Sequence, residues 1–196
     1  NDRKARAADD QAVGVDQVQR LALGQPYGQR IARPKLHWAA LASEGKWTPI
    51  EHGNAVHGLL GELEHARDWP SLKERMERAN LWTPDQRASV SALIDSILNG
   101  PDTRKFFEAH ATEVFAERTV HFGNGELGRP DRVVHLDGVW HVVDFKTGEQ
   151  RDKHKSQVAG YCEVINAMHP DEAVKGWLIY TEPLLLVHVP VLFGAS

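Results

Sequence analysis

Asp131, Asp144 and Lys146 are the residues of this sequence whose types and spacing could do chemistry together. They flank Asp137-Gly138, a two-residue pair between β-rich runs. Such a pair closes a hairpin through a type I′ turn, in which both residues take positive φ. Strands are therefore expected over Asp131–Leu136 and Val139–Lys146. With two residues in the turn, Leu136 faces Val139, and counting back along both strands Asp131 faces Asp144. Cross-strand partners hold their Cβ atoms about 5 Å apart on one face. Lys146, two residues on, joins that face.

The neighbours make this pair costly. Val133, Trp140 and Val142 share its face, and Val134, Val143 and Phe145 occupy the other. A strand apolar on both faces is buried on both, and unpaired charge is expensive there. Two arrangements relieve the repulsion. A hard divalent cation such as Mg²⁺ takes carboxylate oxygens, and Lys146 beside it would hold an attacking water or stabilise a charged transition state. Alternatively, the three side chains form a metal-free Asp–Lys–Asp cluster. The hairpin geometry leaves both open.

The elements around the hairpin follow from periodicity and caps. Val56, Leu59, Leu60 and Leu63 recur at helical spacing, with Asn54 as a candidate cap. Thr83-Pro84-Asp85-Gln86 starts a helix whose apolar face is Val90, Leu93, Ile94 and Ile97, and Asn99-Gly100-Pro101 stops it. A shorter helix is expected over Thr103–His110 and a strand over Val114–Phe122, before Gly123-Asn124-Gly125. Lys153–Ala167 is helical, with Val158, Tyr161, Cys162 and Ile165 on one face. Val174–Tyr180 and Leu184–Val191 close the chain as strands. The expected fold is α/β or α+β, a mixed central sheet flanked by helices.

Four stretches in order resemble a known family. They are Gly53-Asn54-Ala55-Val56-His57-Gly58-Leu59-Leu60, Gly128-Arg129-Pro130-Asp131-Arg132-Val133, Asp144-Phe145-Lys146-Thr147-Gly148 and Gln157-Val158-Ala159-Gly160-Tyr161. Together they resemble the PD-(D/E)xK nuclease superfamily and its RecB-like branch. Glu117-Arg118-Thr119 and Gly176-Trp177-Leu178-Ile179-Tyr180 make the look closest to the C-terminal nuclease domain of AddA-type helicase–nucleases. The resemblance implies a restriction-endonuclease-like core. It implies His57, Asp131, Asp144 and the Phe145 carbonyl as metal ligands, with Mg²⁺ as the ion and Mn²⁺ able to substitute. Lys146 becomes the catalytic lysine, acting with Asp131 and Asp144. Gln157 and Tyr161, one turn apart on a helix, lie near the substrate phosphate or Lys146.

The implied activity is a deoxyribonuclease, an exonuclease with endonuclease capability, leaving 5′-phosphate and 3′-hydroxyl ends. The implied partners are single-stranded DNA and a helicase motor, in double-strand-break repair by homologous recombination. The rivals are a stand-alone nuclease of the same superfamily, an inactive nuclease-like DNA-binding or scaffolding module, and a small-phosphoester hydrolase. Some relatives hold an iron–sulfur cluster on four cysteines. The single Cys162 excludes that cluster in this chain, which argues against the AddB-type and CRISPR-associated branches.

Other residues carry plainer readings beside functional ones. Glu117 faces Asp131 if the preceding turn carries a one-residue bulge, as a second-metal or outer carboxylate, and is otherwise a solvated strand residue. Arg151, Lys153, His154 and Lys155 form a solvated helix start or meet phosphates. Trp38, Trp47, Trp69, Trp82 and Trp177 read as packing, and Cys162 as a small hydrophobe.

Composition bounds the rest. The 196 residues, 41% hydrophobic and 26% charged, suit a globular chain with a sizeable core. No run reaches the ~18 apolar residues of a membrane helix. One cysteine permits no internal disulfide and no Cys-based zinc site, which fits a reducing cytoplasm. No secretory leader pattern opens the chain, and without an initiator Met it is expected to be part of a longer protein. Residues 1–50 hold eight basic and five acidic side chains, against fifteen and twenty-two in residues 51–196. The division expected is an N-terminal arm or linker over 1–50, with a short helix near Asp16–Leu23, and the nuclease domain over 51–196.

Overall fold

The computed structural model describes residues 47–108, 110–116, 119–122 and 127–191. The expected helix over Asp16–Leu23, Trp38, Glu117 and the Asn124-Gly125 turn lie outside them.

The first helix, α1, spans Pro49–Leu60 and is capped by Thr48, not by Asn54. The Thr48 hydroxyl accepts the Glu51 N–H, and the Glu51 carboxylate accepts the Thr48 N–H. This capping box satisfies two helix-end donors at once, so it outcompetes a lone Asn six residues further on. A boundary after residue 50 therefore passes through the first turn of α1. Trp47, just before the cap, packs edge-on against Trp82 at 4.8 Å between centroids.

Helix α2 (Trp69–Ala79) buries Trp69, Leu72 and Met76 and ends at Asn80 with φ of 47°. Helix α3 (Pro84–Asn99) opens on the expected capping box of Thr83 and Gln86 and stops at Gly100. Where a helix was expected over Thr103–His110, there is a single 3-10 turn, Arg104–Phe107, that buries Phe106 and Phe107.

The expected single strand over Val114–Phe122 is divided. Its first part is β1 (Glu113–Ala116) in the main sheet, and its second is β2 (Val120–His121), which pairs only with β3 (Leu127–Gly128). Strands β4 (Arg132–Leu136) and β5 (Val139–Lys146) form the hairpin. Asp137 and Gly138 have φ of 51° and 76°, the two positive values the type I′ turn requires. The register runs from Leu136 opposite Val139 to Arg132 opposite Val143. Asp131 lies one residue before β4, so Asp131 and Asp144 occupy the first position beyond the ladder.

Helix α4 (Asp152–Met168) crosses from β5 to β6 (Ala173–Thr181), which is parallel to β5, and β7 (Leu184–Val189) returns antiparallel. The main sheet has the order β1-β4-β5-β6-β7. It is a mixed sheet with helices on both faces, as the sequence led one to expect. On one face Val134, Val143, Phe145 and Ile179 pack with α1, α2 and α3. On the other Val133, Trp140, Val142 and Leu178 pack with α4 through Val158, Tyr161, Cys162 and Ile165. Cys162 is fully buried and burial pushes its thiol up to about 12, as befits an inert packing residue. Trp69 and Trp82 are core residues. Among the described residues no helix is long and apolar enough to cross a membrane.

Arg132, at the start of β4, is 1% exposed. Its guanidinium donates to the carbonyls of Leu63, Glu64 and Phe106 and lies over the Phe107 ring, 4.2 Å from the centroid. Burial pulls it down to about 10, against the favourable charges of Glu64 and Asp68, so it stays protonated at neutral pH. Replacing it by the apolar Met would strand three carbonyls. Arg132→Met is expected to cost about 3 kcal/mol or more in urea unfolding, and Arg132→Lys to recover only part of it, because an ammonium has no planar fork. A loss below 1 kcal/mol on the same measurement would show that these bonds do not hold the sheet to the helical layer.

Candidate active site

The site forms where the central strand β5 ends. Asp144 and Lys146 leave β5 on the face covered by α4, and both sit on the strand flanked by β4 and β6. Asp131 reaches the same place from the other strand of the hairpin. Because β4 has stopped, the Phe145 N–H has no ladder partner. The Asp131 carboxylate accepts it, with Oδ2 at 2.7 Å. The other oxygen, Oδ1, lies 3.2 Å from His57 Nδ1 in the last turn of α1. Gly53, one turn earlier, sets how closely α1 approaches: a Cβ there would come within 2.5 Å of the Thr147 hydroxyl. The Phe145 side chain points away into the core, its ring edge-on to His57 at 6.2 Å.

Asp144 is 2% exposed, and its Oδ2 lies 2.5 Å from Lys146 Nζ. The pair is close but poorly aligned, so Oδ2 has a countercharge without a well-made hydrogen bond. Burial raises the Asp144 carboxyl to about 6, the charge of Asp131 adds to this, and Lys146 and His57 offset it. For His57, burial alone would lower the imidazole, but the hydrogen bond it donates to Asp131 and the charges of Asp131 and Asp144 outweigh it, and the net direction is up. The metal-free arrangement is thus an Asp–Lys–Asp–His cluster under strain from its own charges.

Lys146 is held from a second side. Its Nζ donates to Gln157 Oε1 at 3.2 Å, Gln157 Nε2 donates to the Tyr161 hydroxyl at 2.9 Å, and the same hydroxyl accepts the Arg129 N–H at 3.4 Å. The amide of Gln157 is therefore oriented with oxygen toward the lysine. Gln157 and Tyr161 are brought to Lys146, the second of the two places expected for them. Arg151, Lys153 and Lys155 are exposed at the start of α4 and make no contact with this cluster among the described residues. Lys155 instead pairs with Asp152 at 3.4 Å.

Three further residues stand around Lys146, and the sequence marked their places unequally. Thr181 donates to the Lys146 carbonyl at 3.3 Å, and Tyr180 lies beside Lys146 in the parallel ladder. Both follow from a register that joins strands separated by the whole of α4. The third, His154, did carry a signal: it lies three residues before Gln157, on the same helical face.

Two carboxylates and a strand carbonyl are oxygen donors that suit a hard divalent cation, whereas the His57 imidazole is a softer donor than such an ion prefers. The buried Asp144 oxygen without a good hydrogen bond fits the same group, since the ammonium beside it supplies positive charge but not a made bond. Among the described residues no three His, Cys, Asp or Glu groups converge closely enough to cage an ion. Binding would require the Lys146–Asp144 and His57–Asp131 contacts to rearrange.

A mixed sheet with acidic residues and a lysine at the end of its central strand, under a helix carrying a Gln–Tyr pair, is the frame of a phosphodiester hydrolase. The chain belongs to the PD-(D/E)XK nuclease superfamily, whose sequence model matches residues 29–187. The match begins upstream of the boundary drawn after residue 50. No curated protein matches the chain. Among solved structures, the one titled "Crystal structure of SSO0001" is similar at 17% identity and a TM-score of 0.32, covering 70% of this chain and 67% of that one. A TM-score that low adds nothing to the family assignment.

The raised carboxyl of Asp144 has a consequence for stability. A folded carboxyl that holds its proton more tightly than the ordinary 3.8 favours folding at low pH. That contribution is complete below about 4 and is lost as the pH rises through about 6. Asp144→Asn, neutral at every pH, is expected to stabilise the metal-free protein at pH 7.5 by on the order of 1–2 kcal/mol. The advantage should vanish toward pH 4. Calorimetry in a chelator checks it; an equal or lower Tm for the variant at pH 7.5 would contradict the electrostatics of the site.

Proposed function

We propose that this chain is a Mg²⁺-dependent deoxyribonuclease of the RecB-like branch, an AddA-type nuclease domain that trims DNA fed to it by a helicase motor. The observation that supports it most is the convergence of Asp131, Asp144 and Lys146 at the end of β5, with Lys146 oriented by Gln157. His57, Asp131, Asp144 and the Phe145 carbonyl would hold the cation. When bound, the ion supplies Lewis-acid stabilisation of a phosphoryl oxygen and a more acidic water.

The chain's own residues do the rest. Displaced from Asp144, the Lys146 ammonium stays tethered to Gln157 and faces the place where negative charge grows on the phosphate. Tyr161 holds Gln157, and Gln157 keeps the ammonium from swinging away. Asp144, 2% exposed, is the buried anchor, and Asp131 is tied to the backbone of Phe145. Arg151, Lys153 and Lys155 at the start of α4 would draw the DNA backbone by charge alone.

The substrate is single-stranded DNA, cut exonucleolytically with some internal cleavage, leaving 5′-phosphate and 3′-hydroxyl ends. The net charge of −4 suits a domain with few phosphate contacts of its own, which depends on a motor for delivery. The setting is recombinational repair of double-strand breaks in the cytoplasm.

Single-turnover cleavage of labelled linear and circular DNA with Mg²⁺, Mn²⁺ and Ca²⁺ tests this reading. Lys146→Ala is expected to slow cleavage by on the order of 10²–10³ while the fold is kept. Mn²⁺ affinity, measured by calorimetric titration, should hold or rise, because a competing cation is gone. Lys146→Arg should not restore the rate. Folded Lys146→Ala cutting at the wild-type rate would remove the lysine from the chemistry. Folded wild type that cuts no DNA with any of the three ions would leave the inactive scaffolding module.

A further inference from the structure

His154 and Tyr180 form a pair beside the cluster of Asp131, Asp144, Lys146, Gln157 and Tyr161. His154 lies in the first turns of α4, and Tyr180 stands beside Lys146 across the β5–β6 ladder. His154 Nδ1 lies 3.1 Å from the Tyr180 hydroxyl, and the two rings are 6.0 Å apart between centroids. Tyr180 is 3% exposed, so its hydroxyl is a fixed post. His154 is only partly covered, and its Nε2 has no hydrogen-bond partner among the described residues. One nitrogen is thus anchored by the sheet while the other is open. Gln157 bonds the Lys146 ammonium, and Tyr180, which holds this imidazole, stands opposite Lys146 in the ladder.

We propose that His154 is a phosphate-contacting residue of the nuclease site, with Nε2–H donating to a non-bridging oxygen of the DNA backbone at or next to the scissile phosphodiester, and with Tyr180 as its positioning residue. The proposal rests on the nuclease reading above. When the Tyr180 hydroxyl donates to Nδ1, the ring proton is left on Nε2, the nitrogen that is open. Partial burial, then the charges of Lys146, Lys153 and Arg151, push the imidazole below its ordinary value, so the donor is neutral at pH 7. A neutral donor adds direction without counterion release, which Arg151, Lys153 and Lys155 supply instead. Its contribution is to the placement of one phosphate beside Lys146.

The test is cleavage of a labelled single-stranded oligonucleotide with Mg²⁺, and binding of the same oligonucleotide with Ca²⁺ across a salt series. His154→Ala is expected to raise KM and Kd about tenfold with a smaller change in kcat. The slope of log Kd against log salt should stay that of the wild type, whereas Lys153→Ala should flatten it. His154→Gln, which carries an N–H at a similar reach, should recover most of the loss, and Tyr180→Phe should show a smaller loss of the same kind. Unchanged KM and Kd in folded His154→Ala, or a Gln variant no better than Ala, would overturn the proposal while leaving the nuclease reading intact. A wild type that cuts no DNA would overturn both.

Discussion

The buried guanidinium of Arg132 ties the two halves of the fold together. It stands at the first paired residue of β4 and reaches through the helical layer to three carbonyls, two just after α1 and one in the 3-10 turn before β1. Those segments lack regular partners for these oxygens, and a neutral side chain could not satisfy three at once. The cost of burying the charge is offset by the hydrogen bonds and by the Phe107 ring beneath it. Because Arg132 is next to Asp131, the same contact fixes the start of β4, and so where the Asp131 carboxylate emerges. The helix that carries His57 ends just before the carbonyls that Arg132 holds. Structure and site thus share one anchor.

Beside that anchor the fold tolerates an electrostatic conflict. Asp144 would be disfavoured at a central strand position if only stability mattered, since its burial and the neighbouring Asp131 both oppose ionisation. Lys146 relieves part of this and Asp131 escapes by bonding a strand-end N–H. The Asp144 oxygen is left with charge compensation but no well-made bond.

The parallel crossover decides who stands around Lys146. Helix α4 must pack back across the sheet between β5 and β6, and this lays its first turns over the end of β5. His154 and Gln157 arrive from the helix, Tyr180 and Thr181 from β6: Gln157 bonds the Lys146 ammonium, Thr181 its carbonyl, and Tyr180 stands opposite it with His154 on its hydroxyl. Two α-helical side chains and two strand side chains meet there though α4 and its turns separate them in sequence.

The sequence by itself determined the hairpin and its register, and so which carboxylates the hairpin brings near each other. Asp137-Gly138 has one low-energy turn available, and that turn alone places Asp131 and Asp144 together. The capping box at Thr83 was equally local and equally legible. The same signature stands at Thr48, while the apolar stripe beginning at Val56 marks the buried face of the helix and not its end. What the tertiary structure alone decided is non-local. The division of Val114–Phe122 between two sheets depends on what each half finds to pair with, and a β-rich stretch carries no mark of its partner. The burial of Arg132, the approach of α1 that sets His57 on Asp131, and the placing of Tyr180 beside Lys146 arise from contacts across long stretches of chain. Residue types are written in the sequence, but the pairing of distant backbone groups is settled only when helices and sheet pack.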